Sequence, residues 1–179
     1  MIRDPPQTPL YPHQIRTLME VRVRGYTEED VPGMARIWNI VVDRGMAFPQ
    51  EEELSPEEAS VFFGSQSHCG VAEIDGRVVG MYILHPNNVG RCGHISNASY
   101  AVDPDMSNKG IGAKLVEDSL SMARSLGFRI MQFNAVVQEN ASAIHLYEKE
   151  GFRRIGVVPG GFRSKDGEYH SIILFYHEL

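Results

Sequence analysis

Apolar and polar positions alternate through LMEVRVRGY, Leu18 to Tyr26, the period of a strand with one covered face. The period then lengthens. TEEDVPGMARIWNIVVDRG predicts a helix that Thr27 and Asp30 open as a capping box, with Pro32 in its first turn and Gly45 at its end. A loop, MAFPQEEEL, leads to a short second helix capped by Ser55 with Glu58 three residues on. CGVAEI and RVVGMYIL are strand patterns around Asp75-Gly76, a hairpin signal. After the loop HPNNVGRCG comes an unusually polar strand, HISNASYAV, from His94 to Val102. Ile111, Leu115, Met122, Ala123 and Leu126 then recur at helical spacing. Phe128 to Val137 is a strand, and NASAIHLYEKEG is a helix with Asn140 as N-cap and Gly151 past its end. FRRIGVV and EYHSIILFYHEL close the chain as two strands around the loop PGGFRSKDG. This order predicts an α/β fold on a mixed sheet, with a parallel pair where strand, helix and strand follow one another.

Composition narrows the class. The chain has 179 residues, 42% apolar and 22% charged, enough for one domain with a sizeable core. A net charge of −6 without a basic cluster argues against a nucleic-acid partner. No apolar run has the length of a membrane span, and the only two cysteines, Cys69 and Cys92, are expected as reduced thiols of a cytoplasmic protein. MIRDPPQTPLYPHQ carries four prolines and no apolar segment of a secretory signal. Residues 1–17 are therefore expected as an arm and 18–179 as the domain.

The chemistry gathers at SNKGIG, Ser107 to Gly112, where two glycines stand at the predicted start of a helix. A helix N-terminus exposes unpaired N–H groups and a positive partial charge, and glycines let a large anion approach them. Lys109 adds a point charge. Three readings stand beside each other: a nucleotide P-loop, which GIGAKL does not complete; a dinucleotide fingerprint, which Leu115 breaks; and a tight turn for helix–strand packing.

The segment from Val102 to Phe128, followed by NAVVQENASAIHLYEKEGFRRIG, resembles the GNAT N-acetyltransferase superfamily. Its first hallmark, Gln/Arg-x-x-Gly-x-Gly/Ala, falls on Ser107, Asn108, Lys109, Gly110, Ile111 and Gly112, matching both glycines but not the leading residue. The second, Asn-x-x-Ala-x-x-Leu-Tyr-x-x-x-Gly-Phe, is complete in Asn140, Ala143, Leu146, Tyr147, Gly151 and Phe152. The resemblance implies a single domain whose fourth and fifth strands splay to admit acetyl-CoA, with the pyrophosphate on residues 107–112. It implies further cofactor contacts at Ala101, Val102, Asn140 and Tyr147. YILHPNNVGRCGHISNASYAV, FNAVVQENAS and RIGVVPGGF are similar to the branch of fungal L-azetidine-2-carboxylate (proline-analogue) acetyltransferases. That branch places asparagines by the acceptor and reaction centre, here Asn97 and Asn134.

Asparagine is disfavoured in strands, so Asn97 and Asn134 are either hydrogen-bonded edge positions or amide donors for a carboxylate or oxyanion. Tyr147 is either core packing or, as the resemblance implies, a neighbour of the coenzyme sulfur. A phenol near pKa ~10 is a poor match for protonating a thiolate near ~8.5, which favours a hydrogen bond over proton transfer. His85, Cys92 and His94 fit no standard zinc spacing, and no metal is expected. Glu51, Glu52 and Glu53 read as a solvated loop or, less favoured, as neighbours of a cationic amine.

The expected reaction is acetyl transfer from acetyl-CoA to a small amine, an amino or imino acid, by direct attack in a ternary complex. The Val102 N–H would polarise the thioester carbonyl, and a water on Asn97, Ser99 or His94 would take the proton. Alternatives are a phosphinothricin-like or other small-amine acceptor and a noncatalytic acyl-CoA-binding module. A homodimer is left open.

Overall fold

The computed structural model describes residues 20–179; the predicted arm and the first residues of the first predicted strand lie outside them. Among the described residues seven strands form one sheet in the order β1-β2-β3-β4-β5-β7-β6. They are β1 (Arg22–Gly25), β2 (His68–Ile74), β3 (Arg77–Pro86), β4 (Ile95–Val102), β5 (Ile130–Val137), β6 (Arg153–Arg163) and β7 (Tyr169–Glu178). Four α-helices among the described residues accompany them: α1 (Val31–Arg44), α2 (Pro56–Gly64), α3 (Ile111–Ser125) and α4 (Ala141–Lys149). Only β4 and β5 run parallel; every other neighbouring pair is antiparallel. This is the α/β architecture expected from the element order, and β4 and β5 pair over two residues only, as the splay implied by the resemblance requires.

Local chemistry explains most boundaries. The Asp30 carboxylate accepts the Thr27 N–H at 2.7 Å, and one 3-10 turn leads into α1. Ser55 and Glu58 make the reciprocal capping box of α2. Asp75 and Gly76 both take positive φ, 50° and 75°, as a two-residue hairpin turn requires. The last loop departs from expectation. Pro159, Gly160 and Gly161 belong to β6, and the register with β7 shifts between Val158 and Phe162. A bulge on an edge strand takes in a proline and glycines without losing the ladder, so only residues 164–168 remain as the turn.

The sheet separates two apolar clusters. One face carries Tyr82, Leu84, Ala98, Met131 and Phe133 against Ile111, Leu115 and Val116 of α3 and Ile144 of α4. The other carries Val71, Met81, Ile83 and Ala101 against α1 and α2, with Trp38 fully buried among Phe48, Phe62 and Phe63. Burying each Val, Leu, Ile, Met or Phe side chain among these contributes about 1.5–3 kcal/mol. Gly80 decides how closely α3 docks. A Cβ there would come within 2.9 Å of Ile111 Cγ2, so its absence lets the first turn of α3 lie on β3 beside the end of β4.

Asp103 anchors the chain between β4 and α3. Its N–H donates to the Val79 carbonyl at 2.9 Å, and its buried carboxylate accepts from Arg36 at 2.8 Å and Arg77 at 2.9 Å. Cys69 is buried, which pushes its thiol up to about 12, and Cys92 is exposed; both are free. Among the described residues no helix is long and apolar enough to cross a membrane.

Candidate active site

The segment before α3 is a bare backbone loop. Asn108 and Gly110 take positive φ, 62° and 75°, and Gly110 is the N-cap. The first backbone bond of the helix runs from the Lys114 N–H to the Gly110 carbonyl. The N–H groups of Ile111, Gly112 and Ala113 therefore have no intrahelical partner. Nothing lies within 4 Å of a Cβ built on Gly110, whereas one on Gly112 would meet Leu146 Cδ2 at 3.1 Å. Gly112 thus serves both loop access and the approach of α4 to α3. The Ser107 hydroxyl donates to the Pro104 carbonyl at 2.9 Å, and the exposed Lys109 leans its ammonium on the Met106 sulfur. Ile111 sends its side chain into the core.

β4 and β5 touch only at their N-terminal ends. Their paired residues are Ile95 with Ile130 and Ser96 with Met131. Beyond these the strands part. The phase of the β3–β4 ladder fixes what faces the gap. Asp103 bonds Val79 across it, so alternate residues 101, 99 and 97 turn their polar backbone groups to β3. Val102, Tyr100 and Ala98 turn theirs toward β5. Val102, singled out in the sequence, therefore aims its N–H into the gap, while Ala101 spends both backbone groups on the sheet.

Tyr147 of α4 lies over the same gap on the α3 face. Its half-buried ring is 4.6 Å from Phe133 of β5 and 6.1 Å from Tyr100 of β4, centroid to centroid. Burial raises its phenol pKa, so the hydroxyl stays protonated. Its hydroxyl makes no hydrogen bond among the described residues and is a free donor. Tyr100 is also raised by burial, but its hydroxyl is engaged with Ser119 Oγ at 2.7 Å. Asn140 caps α4 through Oδ1, which accepts the Ala143 N–H at 3.2 Å, and its Nδ2 makes no hydrogen bond among the described residues.

On the opposite face the gap is crossed by carboxamides. Asn97 and Asn134 do not touch directly; Asn87, in the loop after β3, joins them. Its Oδ1 accepts from Asn134 Nδ2 at 2.5 Å and from Asn97 Nδ2 at 3.4 Å. Asn134 Oδ1 accepts in turn from Gln132 at 3.0 Å and Asn87 at 3.3 Å. Ser99 is on the same face as Asn97, and His94 is exposed just before β4. Asn87 went unnoticed in the sequence, within a loop weighed only for its histidines and cysteine. The β3–β4 hairpin register, which sets Asn87 opposite Ile95, was the signal that could have found it.

On the same side of the sheet, though lined by none of these three asparagines, is a cavity of about 640 Å³ between the end of α1, the α1–α2 loop and the β6–β7 turn, with Phe48, Glu51, Phe162, Arg163 and Lys165 among its lining. Two ion pairs strap its walls together: Arg163 to Glu51 at 2.6 Å and Lys165 to Asp43 at 2.5 Å. Glu51, Glu52 and Glu53 are exposed, as a solvated loop would be, and Glu51 is in addition paired. Phe162, which lines the cavity, also belongs to a small apolar cluster with Ile172 of β7 and Val137 of β5, on which Ala135 packs, and this connects the cavity to the strand that carries Asn134. Among the described residues no three His, Cys, Asp or Glu side chains cluster as a metal site.

Residues 34–152 match the family described as acetyltransferase (GNAT). The chain is similar to the N-acetyltransferase aca1 of Schizosaccharomyces pombe, at 28% identity over 84% of this chain and 81% of that protein. It is similar to the L-methionine sulfoximine/L-methionine sulfone acetyltransferase of Pseudomonas aeruginosa, at 26% identity over 79% of this chain and 85% of that one. Among solved structures, a GCN5-related N-acetyltransferase from Kribbella flavida superposes with a TM-score of 0.82 at 31% identity, covering 89% of this chain and 98% of its own.

Proposed function

The chain belongs to the GNAT acetyltransferase family, and on that premise we propose that it moves the acetyl group of acetyl-CoA onto the nitrogen of a small amino or imino acid of the proline-analogue kind. Residues 18–179 form the catalytic unit in this reading. The pyrophosphate of acetyl-CoA lies on the backbone from Ser107 to Gly112, with Lys109 as a counter-charge. The pantetheine runs into the gap beside Ala101 and Val102, and Asn140 Nδ2 contacts it near the thiol.

The acceptor nitrogen attacks the thioester carbon. A carbon–nitrogen bond forms, the carbon–sulfur bond breaks, and the thiolate departs. The Val102 N–H holds the oxygen as charge develops on it. Tyr147 donates a hydrogen bond to the departing sulfur; its raised pKa makes full proton transfer to a thiolate near ~8.5 still less favourable than for an ordinary phenol. The acceptor enters from the cavity side, its carboxylate on the amides of Asn97 and Asn134. Water on Asn97, Ser99 or His94 carries off the amine's proton.

The observation that supports this reading is the parting of β4 and β5 after two paired residues, with a free phenol on one face and converging carboxamides on the other. The Pseudomonas relative favours a second acceptor, a sulfoximine or sulfone amino acid, which would present the same carboxylate. A thiol-release screen with acetyl-CoA over amino acids, imino acids, sulfoximines and polyamines tests both. Release with a carboxylate-bearing amine is expected. Release with none, despite tight acetyl-CoA binding, would make the protein a noncatalytic binding module.

A further inference from the structure

Asn97 and Asn134 stand on strands that diverge, yet both aim Nδ2 at one oxygen, Oδ1 of Asn87. Two amide donors converging on a single oxygen are what a carboxylate oxygen would need in a partly desolvated cleft. That place is occupied by the protein's own side chain. Asn87 is well set to fill it and to leave it. Its backbone N–H is fixed to the Ile95 carbonyl at 2.7 Å, while the chain beyond it is exposed through Gly90. Only carboxamide bonds hold its side chain, each of modest net worth.

We infer that Asn87 is the gate of the acceptor subsite: without acceptor its Oδ1 keeps the Asn97 and Asn134 amides aligned, and the acceptor's carboxylate displaces it. The inference rests on the proposed carboxylate recognition and adds a positioning residue to it. Occupancy by a neutral amide serves the free enzyme. It orients donors that water would otherwise solvate, Asn134 being exposed, and a carboxylate, its single charge shared by two oxygens, outcompetes it because hydrogen bonds to charged groups are the stronger. Azetidine, which lacks the carboxylate, has no reason to displace Asn87.

The test compares KM for azetidine-2-carboxylate and for azetidine in the unaltered full chain, Asn87→Ala and Asn87→Asp, with acetyl-CoA affinity by calorimetry as the check on folding. Removing the internal competitor in Asn87→Ala is expected to lower KM for the acid by about fivefold, the net worth of one neutral hydrogen bond. Asn87→Asp, a charged competitor in the same place, raises KM for the acid by tenfold or more, on the order of a charged hydrogen bond. KM for azetidine moves in neither variant. A rise in KM for the acid in Asn87→Ala would overturn the gate, as would parallel shifts for acid and amine. If the unaltered chain uses acid and amine equally well, carboxylate recognition itself fails; if it discriminates but Asn87→Ala leaves the acid KM in place, only the gate fails.

Discussion

On the α3–α4 face of the parted strands the chain presents aromatic rings and bare backbone. On the α1–α2 face it presents carboxamides and ion pairs. The first face meets Tyr147, Tyr100 and Phe133 and ends in the loop at Gly110. The second meets Asn87, Asn97 and Asn134 and, further along the same side, the cavity strapped by Arg163–Glu51 and Lys165–Asp43. The difference follows from what each face is proposed to hold. A large anion with a long thin arm is gripped through N–H groups that every residue supplies, so the sequence needs only glycines and a cap there. A small zwitterion is told from its analogues by side chains, and these converge from segments far apart in the chain.

If the faces are specialised in this way, each can be damaged while the other is spared. The largest effect is expected at Tyr147. Tyr147→Phe should lower kcat roughly tenfold to a hundredfold, the scale of a hydrogen bond to a charged group, with acetyl-CoA affinity retained. Stopped-time thiol release across the pH range measures it; an unaltered kcat would leave Tyr147 as packing. Next comes Gly110→Val. The space around Gly110 is open, so the penalty falls on its left-handed backbone alone, about 1–2 kcal/mol and thus near tenfold in acetyl-CoA Kd by calorimetry. Gly112→Val is the blunter probe, because its side chain also strikes Leu146.

Asp103 links the anion loop to the core. Burial works to raise its pKa, and the Arg36 hydrogen bond, the Asp105 N–H and the charges of Arg36 and Arg77 outweigh it, so the carboxyl ends below its ordinary value. A group whose folded pKa is lowered adds stability above its unfolded value and loses it as pH falls toward the folded one. Asp103→Asn should therefore cost about 1–2 kcal/mol at neutral pH, between the exposed and fully buried limits because both arginines are partly exposed. Urea melts should show that difference shrinking below about pH 4, the ordinary carboxylate range. The smallest effect belongs to the straps. Arg163→Ala should shift the acceptor KM by about two- to fivefold, as an exposed pair allows, and leave acetyl-CoA Kd where it was.

Whatever depends on neighbours three or four residues apart was legible in the sequence. The box at Ser55 and Glu58, the Asp75-Gly76 turn, the Asn140 cap and the glycines at 110 and 112 are local devices with local signatures. The acceptor face is not local. Asn87 meets Asn134 across 47 residues, and Arg163 meets Glu51 across 112. The first distance closes because β4 lies between β3 and β5 in the sheet, and the second because the end of β6 comes back to the α1–α2 loop, and no periodicity announces either. Pro159 and the two glycines after it were read as a loop because an edge strand with a bulge carries the same residue signs as a turn.

The central claim is that carboxamides on the α1–α2 face recognise a carboxylate while the cofactor is held elsewhere. The ratio of kcat/KM for azetidine-2-carboxylate over azetidine, measured in the unaltered chain and in Asn97→Ala and Asn134→Ala, tests it most directly. The account predicts a high ratio that falls roughly tenfold or more in each variant, the scale of hydrogen bonds lost to a charged group, at constant acetyl-CoA Kd. A ratio near one in the unaltered chain, or a loss shared equally by acid and amine, would contradict it.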